Sequence, residues 1–165
     1  MGAILAGGNS RRFGGDKAHA LIDGQPMLDV VAARLRSQCD GLVVIGRTWP
    51  GLASASDLPE PGLGPLGGLA GALAYALDHG FDEVLACPCD MPDLPDNLAA
   101  LLAPAPAYIE DHWGWSRWPA ALAPDLAHWL ARGESRRIRD WLHKQHARPV
   151  RVGHAVRNIN RPEDL

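Results

Sequence analysis

No apolar run in this sequence is long enough to cross a bilayer. Its opening residues, Met1-Gly2-Ala3-Ile4-Leu5, have neither the basic flank nor the cleavage site of a secretory signal. These absences argue against a membrane partner and make a cytoplasmic location the expectation. Positive charge is also short: 16 Lys and Arg against 19 Asp and Glu leave a formal net charge of −3. Gripping a phosphate backbone needs a basic excess spread over one face, so a nucleic-acid partner is not expected. Cysteine is scarce. Cys39, Cys87 and Cys89 cannot all pair within one chain, which suits a reducing compartment. Cys87-Pro88-Cys89 also lacks the second Cys/His pair that a structural zinc site requires. What remains, at 165 residues with 47% hydrophobic and 21% charged side chains, is the composition of one globular domain that folds in water.

Glycine and proline, by contrast, are concentrated where chemistry is expected. The stretch Leu5-Ala-Gly-Gly-Asn-Ser-Arg-Arg-Phe-Gly-Gly-Asp-Lys17 follows a short apolar run and places Arg11, Arg12 and Lys17 around bare backbone. It is not a Walker A loop, because Asp16 separates Gly15 from Lys17 and Ala18 stands where the metal-binding hydroxyl belongs. Gly7 and Gly8 let the main chain approach a ligand closely and present N–H groups to an anion, while the three cations supply mobile positive charge. The same composition also describes a solvated glycine turn. A second glycine cluster, Gly62-Leu-Gly64-Pro-Leu-Gly67, matches the dinucleotide fingerprint in letters only. It follows the proline-interrupted Asp57-Leu-Pro-Glu-Pro61, where that fingerprint needs a strand, so a nicotinamide or flavin cofactor is not expected.

Periodicity predicts an α/β fold: a mainly parallel twisted sheet flanked by helices, Rossmann-like, in one domain over residues 1–165. Gly2–Ala6 reads as a buried strand feeding the first loop. Asp23-Gly24 marks a tight turn, and Met27, Leu28, Val30, Val31 and Leu35 recur at helical spacing after Pro26. Leu42–Ile45 is a continuous β-branched strand. A loop from Trp49 to Pro65 precedes a helix carrying Leu66, Leu69, Ala70, Leu73 and Leu77, and Glu83–Cys87 is the next strand. Two strand-helix-strand units in succession imply right-handed crossovers and a parallel sheet. Later the pattern predicts a helix around Asn97–Leu102, strands at Ala107–Ile109, Ala120–Leu122 and Pro149–Val152, and helices around Leu126–Leu130 and Ile138–Leu142. In such sheets ligands collect beyond the carboxyl ends of strands. Asp90 stands at one of them, where a carboxylate can hold a hard cation such as Mg²⁺ against phosphate oxygens.

The first motif, followed in order by Asp57, Gly64-Pro65-Leu66-Gly67-Gly68, Cys87-Pro-Cys-Asp90-Met-Pro92 and Asn158-Ile-Asn160-Arg-Pro-Glu-Asp-Leu165, resembles the molybdenum cofactor guanylyltransferases. That family shares the nucleotidyltransferase fold of nucleotide-sugar pyrophosphorylases. The resemblance covers nearly the whole chain. It implies that GMP passes from GTP to the terminal phosphate of molybdopterin with release of pyrophosphate and with Mg²⁺ as cofactor. It also implies site roles. Leu5, Ala6, Gly7 and Gly8 would receive guanine and ribose, Arg12 and Lys17 the triphosphate, and Asp57 the base or ribose. Gly64 to Gly67 would line the nucleotide pocket, Asp90 would hold the metal, and Asn158 and Asn160 would face the metal or the acceptor. Catalysis would fall to Lys17, Asp90 and Arg12. Implied partners are GTP, molybdopterin or its molybdenum form, an upstream molybdenum-insertion enzyme and recipient molybdoenzymes. The N-terminal half would bind nucleotide and the C-terminal half the acceptor.

Two departures from the family pattern stand out: Phe13 replaces methionine, and Trp118-Pro119 replaces His-Pro. Trp113, Trp115 and Trp118 beside Arg117 offer aromatic surface for a pterin, although such tryptophans also serve as core anchors. Two rivals are a CTP-dependent relative, or one acting on another small phosphorylated acceptor, and a nucleotide-binding regulator without turnover. Glycine at both Gly7 and Gly8, where cytidylyl relatives tend to carry alanine, favours guanine.

Overall fold

A computed structural model describes residues 1–8, 13, 15–153 and 158–165. Nine strands and five α-helices are formed by those residues. In chain order they are β1 (Gly2–Leu5), β2 (Leu21–Ile22), β3 (Gln25–Pro26), α1 (Met27–Arg36), β4 (Leu42–Ile45), β5 (Ala53–Ala55) and α2 (Pro65–Asp78). There follow β6 (Glu83–Pro88), α3 (Leu98–Leu101), β7 (Ala107–Ile109), β8 (His112–Pro119), α4 (Ala123–Ala131), α5 (Ile138–Lys144) and β9 (Arg148–Val150). Among them no helix is long and apolar enough to cross a membrane.

Seven strands form one sheet in the order β5-β4-β1-β6-β8-β7-β9, and β2 and β3 make a separate hairpin. The hairpin turns at Asp23 (φ 49°) and Gly24 (φ 81°), where the Asp-Gly signal placed it. From β5 to β6 all pairings are parallel, with Leu5 opposite both Ile45 and Pro88. That register brings the carboxyl ends of β4, β1 and β6 level. β8 then runs antiparallel to both β6 and β7, and β9 returns parallel to β7. The sheet is thus parallel through its N-terminal half and mixed beyond it.

Strand alternation divides the core into two layers. Ala3, Val43, Ile45, Val84 and Ala86 face α2, α4 and α5, whereas Ile4, Val44, Leu85 and Cys87 face α1 and α3. α2 is apolar nearly all round and is buried from Leu66 through Leu73, as expected of a helix lying between a sheet and another helix.

Two local expectations fail. Ala120–Leu122 is a 3-10 turn leading into α4 rather than a strand. A three-residue apolar run cannot distinguish the two states, and Ala120 spends its N–H on the Asp82 carbonyl (2.8 Å) as β8 leaves the sheet. Conversely, the Trp49–Pro65 loop contains β5, whose Ala-Ser-Ala sequence carries no strand signal of its own. It forms because the edge of β4 offers unpaired backbone groups.

Candidate active site

A cleft of about 620 Å³ opens above the carboxyl ends of the parallel strands. One wall contains Leu5, Ala6, Gly7 and Gly8 after β1, Arg47 after β4 and Asp57 after β5; Lys17 and Asp90 lie across from them. Gly62, Gly64, Pro65 and Gly68 contribute the entrance of α2, while His112, Trp113, Gly114 and Ile138 contribute the far wall.

The chain leaving β1 meets the chain leaving β4 main chain to main chain, with the Asp57 carboxylate against both. A β-carbon on Gly46, which has φ 87°, would lie 2.4 Å from the Gly7 Cα, and one on Gly7 would lie 2.9 Å from Asp57 Oδ2. Both glycines are therefore required by close approach. At Gly8 an added β-carbon meets nothing within 4 Å among the described residues, so that position has room on the cleft side. Asp57 is only 7% exposed, and its Oδ1 is buried without a hydrogen-bond partner among the described residues. Burial raises its pKa above the usual aspartate value, and the Gly62 N–H draws it part of the way back. A buried acceptor left open beside Gly7 is a feature that a ligand donor would satisfy.

Lys17 lies on a 3-10 turn, Lys17–His19, capped by Asp16, which accepts the Ala18 N–H at 3.1 Å. Its ammonium is nearly buried. It donates to Asp90 Oδ2 at 3.1 Å and to Asn160 Oδ1 at 3.0 Å. Asp16 is itself gripped by Arg47 Nη1 at 2.6 and 2.7 Å, while Arg47 Nε donates to the Ala6 carbonyl at 3.0 Å. Burial works to raise the Asp16 pKa, but Arg47, His19 and the Ala18 N–H together hold it below the ordinary value. Cys89 lines the cleft as an inert thiol, its pKa pushed up to about 12 chiefly by burial.

Of the residues expected from sequence, Leu5, Ala6, Gly7, Gly8, Lys17, Asp57, Gly64, Asp90 and Asn158 all line this one cleft. Asn160 is not in its wall but reaches Lys17 directly. Gly67 is not in the wall either; it is buried in α2, and Gly68, one residue further on, takes that place. Arg12, and with it Arg11, lies outside the described residues.

Only Trp113 of the three clustered tryptophans reaches the cleft. Trp115 and Trp118 are fully buried on opposite faces of the sheet. Arg117 is turned away to Glu83 and the Ala99 carbonyl. Trp118 donates to Ser116 Oγ at 2.8 Å, so this departure from the family pattern is a core residue. Arg47, His112 and Ile138 were not anticipated. Arg47 was legible: it follows directly on the strand Leu42–Ile45 and Gly46, at a strand carboxyl end of the kind where ligands collect in such sheets.

Bare main chain, two carboxylates and one lysine at the carboxyl ends of parallel strands can hold a nucleoside triphosphate and stabilise its phosphoryl charge, which is the chemistry of a nucleotidyltransferase. Comparison with known proteins narrows the class. The MobA-like NTP transferase domain model matches residues 2–150, and the chain belongs to that family. The molybdenum cofactor guanylyltransferase of Cereibacter sphaeroides is 37% identical, an alignment covering all of this chain and 93% of that protein. The solved molybdopterin-guanine dinucleotide biosynthesis protein A of Archaeoglobus fulgidus superposes with a TM-score of 0.72 at 20% identity, over 99% of this chain and 93% of that one. A Mycobacterium tuberculosis protein solved in complex with manganese superposes with a TM-score of 0.65 at 15% identity, over 99% and 94% of the two chains.

Proposed function

We propose that this enzyme transfers GMP from GTP to the terminal phosphate of molybdopterin, forming the guanine dinucleotide and releasing pyrophosphate. The observation that carries the reading is the convergence of Lys17, Asp90, Asp57 and the Gly7-Gly8 backbone in one cleft, in a chain whose relatives are named for this activity. A phosphate oxygen of the acceptor forms a bond to the α-phosphorus as the bond from that phosphorus to the bridging oxygen breaks, and the electron pair leaves with pyrophosphate. No protein nucleophile is needed, so catalysis is positioning and charge stabilisation.

Each residue has a role in this reading. Asp57, with its open buried oxygen beside Gly7, accepts hydrogen bonds from the base or ribose. Gly7 and Gly8 present main-chain groups to the nucleotide. Lys17 follows the charge that develops on the phosphates, with Arg12 as its partner in that task. Asn158 lies on the acceptor side of the cleft. The C-terminal half, through Trp113 and Ile138, forms the acceptor wall.

Asp90 fits a hard divalent cation, Mg²⁺ in our reading. It offers carboxylate oxygen at the cleft, and no group of three or more His, Cys, Asp or Glu gathers as a metal cage among the described residues. Mg²⁺ is commonly held by one or two carboxylates with waters and substrate phosphates completing the shell. When bound, the cation draws charge off the phosphates of the triphosphate. Three free thiols accord with a cytoplasmic setting. An upstream molybdenum-insertion enzyme and recipient molybdoenzymes are the partners the product chemistry calls for.

The test is incubation of the protein with each nucleoside triphosphate, Mg²⁺ and molybdopterin, with the product identified by mass. A guanine dinucleotide is expected; a cytosine dinucleotide, or none with any nucleotide, overturns the reading.

A further inference from the structure

The C-terminal segment closes over the two groups at the centre of the cleft. Ile159 is fully buried, and its N–H donates to the Asp90 carbonyl at 3.0 Å, joining the segment to the end of β6 main chain to main chain. One residue on, Asn160 Oδ1 accepts from Lys17 Nζ at 3.0 Å. The chain then turns, and Asp164 Oδ2 accepts the N–H groups of both Asn160 and Arg161 at 2.8 Å. Those two backbone bonds also hold the Asp164 carboxyl below its ordinary pKa.

Lysine carries a flexible four-carbon stem, so its ammonium stabilises a transition state efficiently only if something fixes its direction beforehand. Asp90 is an unsuitable sole anchor: only its Oδ2 meets the ammonium, and a cation bound to the same carboxylate competes with Lys17 for its negative charge. The Asn160 amide oxygen is neutral and remains available. We propose that Asp164 is a positioning residue for Lys17: its carboxylate builds the turn that aims Asn160 at the ammonium and so keeps Lys17 directed into the cleft. The catalytic part of this inference rests on the function proposed above; the structural part does not.

The sequence contains two lysines, Lys17 and the exposed Lys144, and this permits a test independent of turnover. The whole protein is treated with formaldehyde and a mild reductant, and dimethylation at the two positions is read by peptide mass spectrometry with Lys144 as the internal reference. Asp164→Ala should raise the Lys17 to Lys144 labelling ratio, and Asp164→Asn, which keeps an oxygen for both N–H groups, should restore it. In the transfer assay Asp164→Ala should lower kcat about 10- to 100-fold, as is usual for groups that orient catalytic ones, while leaving KM for GTP nearly unchanged. Combined with Asn160→Ala it should cost little more than Asn160→Ala alone, since the two act as one unit. An unchanged labelling ratio in Asp164→Ala, or losses that add in full, would overturn the proposal. Inactive wild-type protein with the expected labelling pattern would sink the proposed function and leave the clasp standing; active protein with unchanged labelling would do the reverse.

Discussion

The two walls of the cleft are built on different principles. The wall formed by the ends of β1, β4 and β5 is mostly backbone: Gly7 and Gly46 bring main chain against main chain, Gly8 leaves room on the cleft side, and Asp57 is the one buried carboxylate behind them. The opposite wall, from β8 and α5, is made of side chains, with Trp113 lying under the Arg139 guanidinium at 4.0 Å and Ile138 beside it. Backbone at the ends of parallel strands is held by the sheet register and tolerates little change. Side chains on a mixed-sheet strand and a short helix can be exchanged without moving the frame. In our reading this separates a nucleotide wall that is rigid from an acceptor wall that can be retuned.

The heaviest blow to this arrangement should come from Lys17, which stands between the walls. Lys17→Ala is expected to lower kcat by about a hundredfold or more, in line with the loss of other preorganised stabilising groups, with a much smaller change in KM for GTP. Steady-state kinetics at saturating acceptor decide it; normal kcat with a raised KM would take Lys17 off the catalytic list.

Asp57→Asn keeps the shape of the nucleotide wall and removes its charge. It should lower kcat/KM for GTP about 10- to 100-fold, the scale of a hydrogen bond to a charged group. Stability should move the other way. Because burial raises the Asp57 pKa in the fold, the folded state binds protons more readily than the unfolded chain, so this group's contribution is full below the ordinary aspartate pKa and is lost as pH rises through the raised one. The variant should therefore melt higher than wild type at neutral pH, and the difference should shrink on acidification. Equal melting at all pH values would deny that the carboxylate is held at a cost for function.

Gly8→Ala probes the same wall where the structure leaves room. The added methyl meets no described protein atom, so the contact it tests is the one with the ligand. We expect kcat/KM to fall more for GTP than for CTP, with a change in discrimination of about 10- to 200-fold if the purine is the group it touches. Equal losses would confine the loop to phosphate placement.

Trp113→Ala should have the smallest effect and the sharpest meaning. Losing an aromatic contact worth about 0.5–1.5 kcal/mol should raise KM for the acceptor roughly 2- to 10-fold and leave KM for GTP alone. If GTP binding weakens instead, the two walls are not separate and the comparison fails.

Much of the N-terminal half could be read directly from sequence. Its central strands β1, β4 and β6 are mainly apolar, buried runs, its helices keep a clear period, and glycine and charge fall at strand ends, where loops must meet ligands. Legibility faded in the second half because its signals are local and ambiguous. Tyr108 and Ile109 flank a register shift against β8 that no periodicity announces, and across it Trp113 packs with the layer of Trp118 while Trp115, two residues on, belongs to the other. β5 is invisible for a related reason, since Ala53-Ser-Ala55 becomes a strand only when β4 is beside it.

The sequence by itself determined the class of fold, the family and nine of the residues that line the cleft, because short-range patterns of burial, turns and strand-end residues carry that information. Tertiary structure alone decided which residues touch. Lys17 meets Asn160 across 143 positions of chain, and Asp57 comes to rest against Gly7 and Gly46. Such pairings depend on sheet order and register, which are set by packing over the whole core rather than by any segment read alone.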